Sequence, residues 1–360
     1  MEERSNIMNE VKHRPPFPWF GGKSRVADIV WDKLGDVDLY VEPFFGSGAV
    51  LFLRPTTPKL ETVNDKDSLI ANFWRAVKHD PEQVAYYADN PVNEADLTAR
   101  HIWLIKYGLP NIRERIFADP DFYDAKVAGW WVWGICCWIG SGWCSGEGKW
   151  TEHEGKLVDK KTINELDGVS KQRPHIGHGE TGINAIARGV KKQKPYISSG
   201  GMGINAIARK INKQTLHPLI EYFNTLSERL RFVRVCCGDW SRVVTKGALD
   251  YGKSVGIFLD PPYKQDLRYG SLYNEDTDNL SAQVRKWCIE NGNNPRYRIA
   301  LCGYEGEHNE LEELGWKKVE GKAVRAYGNS KNKNSPNAEN RYKERIWFNP
   351  NCINLDNQEE

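Results

Sequence analysis

The sequence predicts an α/β protein in which one doubly wound sheet is interrupted by a long insertion. Two observations carry this. Short apolar runs alternate with helical patterns toward both ends of the 360-residue chain, and between about residues 81 and 229 the composition becomes Trp-rich, then basic and Gly-rich. A hydrophobic fraction of 40% with 11% aromatic residues is enough for a packed core and excludes wholesale disorder.

The elements follow in order. LYVEPF (39–44) reads as a strand entering a glycine turn, and GAVLFLR then begins a helix. LETVND (60–65) is a second strand, ending in acidic residues before the helical SLIANFWRAVK. Downstream, RFVRVCCGD (231–239), SVGIFLD (254–260) and RIALCGY (298–304) are three further strands. The polar, Asn/Lys-rich stretch 327–341 is expected to be a loop.

Several classes fall away at once. The first residues, MEERSNIMNEVKHRPP, hold no apolar core of a secretory leader. The eight cysteines avoid CxxC and Cys/His spacing, and Cys136-Cys137 and Cys236-Cys237 are adjacent, so reduced thiols in a cytoplasmic protein and no metal site are expected. Residues 127–146 carry no charge, nearly the length of a bilayer span, but they mix five glycines with five tryptophans. That mixture suits a buried helix and a tight turn better than a lipid-facing helix.

The formal charge of +2 hides an asymmetry: residues 168–214 carry +8. This is the footprint of a phosphate-rich partner or, equally, of a solvated basic surface. The block contains a repeat of period 21, 171–191 realigning on 192–212, with GINAIAR identical at 182–188 and 203–209. Asn184 and Arg188, like Asn205 and Arg209, stand four apart and would share one face of a helix. Either the repeat contacts DNA or it is a duplicated surface loop.

Two motifs carry chemistry. In Glu42-Pro43-Phe44-Phe45-Gly46-Ser47-Gly48, a glycine turn after a strand lets a ligand approach the backbone, and Asp65 some 20 residues on is placed to accept from ribose hydroxyls. Together they describe a nucleoside-binding half-sheet. In Asp260-Pro261-Pro262-Tyr263, two prolines force the chain out of the sheet. Asp260 and the Pro261 carbonyl can then hold the hydrogens of an exocyclic amino group while its ring stacks on Tyr263, a site that only a flipped-out base could reach.

Phe17-Pro18-Trp19-Phe20-Gly21-Gly22-Lys23, EPFFGSG, VNDKD and DPPY, in this order, resemble the Dam-type (alpha-order) S-adenosylmethionine-dependent DNA adenine-N6 methyltransferases. The resemblance covers about residues 14–80 and 230–350. It implies a Rossmann-like methyltransferase sheet as a discontinuous catalytic domain (14–80 and 230–350), with a target-recognition region inserted at 81–229. It further implies S-adenosylmethionine as cofactor, bordered by Trp19 and Lys23, with Lys23 near its carboxylate. Glu42 and the Phe44–Gly48 turn (Phe44, Gly46, Gly48) would line its methionine portion, Asp65 its ribose, and Asp239 and Trp240 its adenine. Asp260, Pro261, Pro262 and Tyr263 would hold an adenine flipped out of double-stranded DNA. The insertion departs from members that methylate GATC, so that target is not carried over.

Trp130, Trp131, Trp133 and Trp138 straddle more than one helix face, so most of them read as core, whereas Trp143 and Trp150, in a Gly-rich turn, are expected to be exposed near DNA. Methyl transfer from a sulfonium needs alignment rather than a metal or a covalent nucleophile. Methylation of a cytosine amino group uses the same geometry, and an inactive DNA-binding module is the alternative outside enzymes. The Asp of the tetrad with the FxGGK block favours adenine, and the intact tetrad speaks against inactivity. If the repeat clamps DNA phosphates, replacing both Arg188 and Arg209 by Ala flattens the salt dependence of DNA affinity by about two units of log–log slope. An unaltered slope across a salt series would make the repeat a surface loop.

Overall fold

The computed structural model describes residues 15–19, 23–56, 58–138, 143–144, 150–153, 156–159, 218–262, 276–320 and 344–353. In chain order these form α1 (Ala27–Leu34), β1 (Leu39–Glu42), the one-turn α2 (Ala49–Phe52), β2 (Leu60–Asp65) and α3 (Ser68–His79). Then come α4 (Pro81–Ala88), α5 (Glu94–Trp103), a π-helical turn (Leu104–Gly108), α6 (Leu109–Arg115), α7 (Ala125–Cys137), β3 (Trp150–His153), β4 (Lys156–Asp159) and α8 (Pro218–Leu230). The chain closes with β5 (Val233–Cys237), β6 (Val255–Leu259), α9 (Asp276–Asn291), β7 (Tyr297–Tyr304), α10 (Glu310–Glu313), β8 (Lys317–Glu320) and β9 (Glu344–Phe348). It divides into two compact units: Met1–Pro15, Trp19–Ala71 and Arg229–Glu360 make the first, Pro16–Pro18 and Asn72–Glu228 the second. One boundary falls inside α3.

The first unit is built on a seven-stranded sheet of order β5-β2-β1-β6-β7-β9-β8. The five strands expected from sequence form its parallel part, and β9 enters antiparallel to both β7 and β8. β6, VGIFL, is buried along its whole length, as a central parallel strand covered on both faces must be. In β1, Leu39 and Val41 join one core with Ile257, Leu259, Ile299, Leu301 and Trp347. The intervening Tyr40 packs on the other side against Trp31 of α1, ring centroids 4.8 Å apart, and the Trp31 indole donates to the Val50 carbonyl of α2 at 2.8 Å. Strand order reverses between β1 and β6, the switch point at whose carboxyl edge open α/β sheets bind their ligands.

At the amino end of β2, Glu61 is 1% exposed and takes the guanidinium groups of Arg54 (3.1 Å) and Arg229 (2.9 Å) together. Arg54 also reaches Asp36 and the Val37 carbonyl, and Arg229 the Leu51 carbonyl. This ties the start of β2 to the loop before β1 and to the end of α8.

The second unit is helical with a β3–β4 hairpin. Three of its helices, α4, α5 and α7, start on polar caps that the sequence supplies: Asp80 accepts from Gln83 N, Asn93 from Asp96 N and Asp124 from Val127 N. Pro110 has no N–H and its ring crowds the carbonyl four residues back, and the chain absorbs this in the preceding π turn, where Leu109 N donates to the Leu104 carbonyl. Residues 127–137 of the uncharged stretch lie in α7, and no helix of the described residues is long and apolar enough to cross a membrane. Its glycines let neighbours close in. A Cβ on Gly129 would lie 2.4 Å from Tyr87 Cβ, and one on Gly134 only 1.8 Å from the Trp143 ring.

That last contact corrects the expected exposure of Trp143. Its ring is buried over Gly134, beside His101 and Trp138, and its indole donates to the Trp131 carbonyl at 3.0 Å. The missing side chain of Gly134 leaves the space that the Trp143 ring occupies. Trp131 and Trp133 are buried as expected. The repeat with Asn184, Arg188, Asn205 and Arg209, the 327–341 stretch and Tyr263 lie outside the described residues. None of the eight cysteines forms a disulfide among the described residues.

Glu61 generates a stability test. Glu61→Ala leaves two guanidinium groups desolvated without their carboxylate, so unfolding free energy falls by about 3–5 kcal/mol, the cost of breaking a buried pair. Urea denaturation measures it.

Candidate active site

Four of the parallel strands deliver their chemistry to one edge of the sheet. β1 ends at Glu42, β2 at Asp65, β5 just before Gly238-Asp239-Trp240, and β6 just before Asp260. Two of these loops are pinned by Asn64, the penultimate residue of β2, which is buried. Its amide donates to the Pro43 carbonyl after β1 and to the Gly238 carbonyl after β5, both at 3.0 Å. Backbone bonds reinforce this: Phe45 N donates to Asn64 O and Gly238 N to Asp65 O. Asn64 was not singled out from sequence, although its place inside VNDKD, one residue before Asp65, was the available signal.

The glycine turn owes its shape to two left-handed residues. Gly46 (φ +48°) lies under the Trp19 indole, where a Cβ would sit 2.6 Å from Nε1, and Gly48 (φ +70°) would press a Cβ on the Phe52 and Phe45 rings. The half-exposed Trp19 thus covers the turn. Phe44 stacks on Trp240, centroids 6.1 Å apart. Trp240 is itself buried in the core beside β1 and β6, while the exposed Asp239 caps the short helix it begins, accepting from Ser241 N and Oγ.

Asp65 has one oxygen on Gly46 N and the other on Asp67 N, each at 2.9 Å. Burial, then the neighbouring Asp67 charge, push its carboxyl up to about 7 despite the opposing backbone hydrogen bonds. Glu42 is buried and accepts from the Tyr40 hydroxyl at 2.9 Å; burial drives its carboxyl well above the ordinary range, the negative Asp260 adds to this, and the Tyr40 bond opposes it. This edge therefore holds carboxyl groups that pay a desolvation cost to ionise, a condition that a cationic ligand relieves.

Lys23 pairs with two carboxylates. Its ammonium, 6% exposed, stands 3.1 Å from Asp260 Oδ1 and 3.6 Å from Glu344 Oε1. Burial opposes its charge, but Asp260 foremost, then Cys302 and Glu344, more than offset this and hold the lysine protonated far into the alkaline range. Pro261 is buried and Pro262 exposed, so the chain leaves β6 at the switch point. Glu344 was missed from sequence because it arrives on β9, more than 80 residues after Asp260, and nothing local marks it.

A mostly parallel seven-stranded sheet with its acidic and glycine-rich loops at the carboxyl edge is a Rossmann-like methyltransferase fold. Residues 19–104 match the model of the D12 class N6 adenine-specific DNA methyltransferases, the class that the sequence motifs resemble. The chain is 30% identical over 87 residues to the Type II methyltransferase M1.LlaDCHI of Lactococcus lactis subsp. cremoris. That match covers 24% of this chain and 30% of the relative's length.

The Asp65 shift makes a prediction for the unliganded protein. A carboxyl raised on folding contributes stability that is complete below about pH 4 and is lost as pH climbs through about 7. Asp65→Asn does not titrate, so its melting temperature relative to wild type should rise between about pH 4 and 7 and level off above. A difference that stays flat over this range would place the Asp65 carboxyl near its ordinary value.

Proposed function

We propose that the protein transfers a methyl group from S-adenosylmethionine to the N6 amino group of adenine in double-stranded DNA, the target base being flipped out to Asp260-Pro261-Pro262-Tyr263. One observation carries this reading. The Asp260 loop and the glycine turn leave adjacent strands, β6 and β1, at the point where strand order reverses, with Asp65 at the end of the next strand. A donor and an acceptor of the methyl group would meet there. The family match over residues 19–104 supports the reaction class.

The residues suit the cofactor on physical grounds. S-adenosylmethionine carries a sulfonium and an ammonium, and Glu42 and Asp65 are carboxyl groups whose ionisation burial penalises until a cation or a hydroxyl donor arrives. The side-chain-free Gly46 and Gly48 admit the methionine portion close to the backbone, Asp65 accepts from the ribose, and Trp19 and Phe44 wall the site. Asp239 and Trp240 sit beside the adenine, with Trp240 acting through its packing on Phe44. The cofactor, when bound, supplies an electrophilic methyl on a good leaving group.

What the protein adds is position and charge. Asp260 and the Pro261 carbonyl accept from the two hydrogens of the amino group, which turns its lone pair toward the methyl carbon. Tyr263 stacks on the extruded ring and replaces the neighbours that the base loses. In this reading residues 14–80 and 230–350 are the catalytic domain. The insertion 81–229 selects the DNA, its repeat supplying phosphate contacts through Arg188 and Arg209.

Asp260→Ala tests the assignment. Methyl transfer from labelled S-adenosylmethionine to DNA falls by more than about a hundredfold, some 3 kcal/mol of barrier, while cofactor affinity by calorimetry stays near wild type. Turnover within about tenfold of wild type would remove Asp260 from the reaction.

A further inference from the structure

The buried ammonium of Lys23 stands between two carboxylates, and only one of them belongs to the Asp-Pro-Pro-Tyr tetrad. The other, Glu344, opens β9 directly opposite Tyr304 of β7. Neutralising Lys23 needs one carboxylate, and Asp260 at 3.1 Å already provides it. Counted over the described residues, the second leaves the cluster with one net negative charge in surroundings that penalise it. Burial raises the Glu344 carboxyl, Asp260 raises it further, and Lys23 alone opposes them. A surplus charge that costs stability, set beside the residue that would hold the reacting amine, calls for a use.

We propose that Glu344 is a positioning residue for methyl transfer: it shares the Lys23 ammonium with Asp260, so that Asp260 keeps its negative charge toward the target amine. The inference rests on the function proposed above. As the lone pair of the amine forms the N–C bond, the C–S bond breaks with its electron pair left on sulfur. Positive charge thus passes from sulfur to nitrogen, which afterwards gives a proton to water. A net negative charge next to that nitrogen stabilises the charged state more than the neutral amine. If Glu344 lost its charge, Lys23 would cancel Asp260 and that advantage would go. In a site this buried, water screens the difference little.

The test compares E344Q, K23M and the double variant K23M/E344Q in the full chain, at saturating S-adenosylmethionine and DNA. E344Q, which keeps the shape and removes the charge, lowers kcat by about thirtyfold or more. KM for DNA, and cofactor affinity by calorimetry, stay within about threefold. The double variant restores the net charge of the wild-type cluster, so adding K23M to E344Q recovers at least about tenfold of the lost rate. A structural role for Glu344 would give the opposite order, each added substitution costing more. An E344Q rate within about threefold of wild type, or a double variant no faster than E344Q, overturns the proposal. Should E344Q fail to fold, the double variant decides alone: kcat within about tenfold of wild type supports the charge count, and a greater loss overturns it. Absence of DNA methylation by the wild-type protein would instead overturn the function on which the inference rests, and the inference with it.

Discussion

One side-chain amide organises the functional edge of this protein. A parallel sheet brings strand ends together but leaves each following loop free to choose its own path. Asn64, by donating to the carbonyls of Pro43 and Gly238, fixes the loops on both sides of β2 to β2 itself. Both donors of one buried amide are used on two different loops, so neither loop can shift without leaving a buried polar group unpaired. Asp65 follows next in the chain and inherits that frame, and its carboxylate then receives the N–H of Gly46. The turn, the acidic residue and the Asp239 loop are in this sense one construction.

The two ends of the sheet treat charge in opposite ways. At the amino end, Glu61 is saturated by two guanidinium groups that in turn bond Asp36 and backbone carbonyls, so each charge there is answered. At the carboxyl end, Glu42 and Asp65 are held above their ordinary protonation range, and two carboxylates share the single ammonium of Lys23. The first arrangement stabilises the fold. The second costs stability, and in the proposed function it serves a cationic ligand and the charge that develops on nitrogen.

The helical unit shows how composition misleads when geometry is unknown. Glycine inside α7 weakens the helix by roughly 1 kcal/mol at each position relative to Ala, and in a turn it suggests exposure. Here Gly129 and Gly134 serve as flat contact points, one for Tyr87 and one for the Trp143 indole. A tryptophan in a glycine turn therefore became a plug. The π turn before α6 has a similar origin: Pro110 lies in a sequence that otherwise favours a helix, and the added residue per turn relieves its ring.

By itself the sequence determined the elements whose signal is local. Apolar runs closed by Gly, Asp or Pro were enough to place all five parallel strands, most plainly β6, which is buried on both faces and has no polar alternation to blur it. The glycine turn, Asp65 and Asp260 were legible for the same reason: each sits at a strand end where residue type and position coincide. Tertiary structure alone decided the partners. β8 and β9 are short and polar at their starts, so nothing in the sequence marks them as the antiparallel border of the sheet. Asn64 looked like one more polar residue in VNDKD until two loops, from opposite sides of β2, were seen to end on its amide. Lys23 pairs with Asp260 and Glu344 across separations of more than 200 and 300 residues, since charge complementarity in a buried site depends on distance in space, which residue order does not encode.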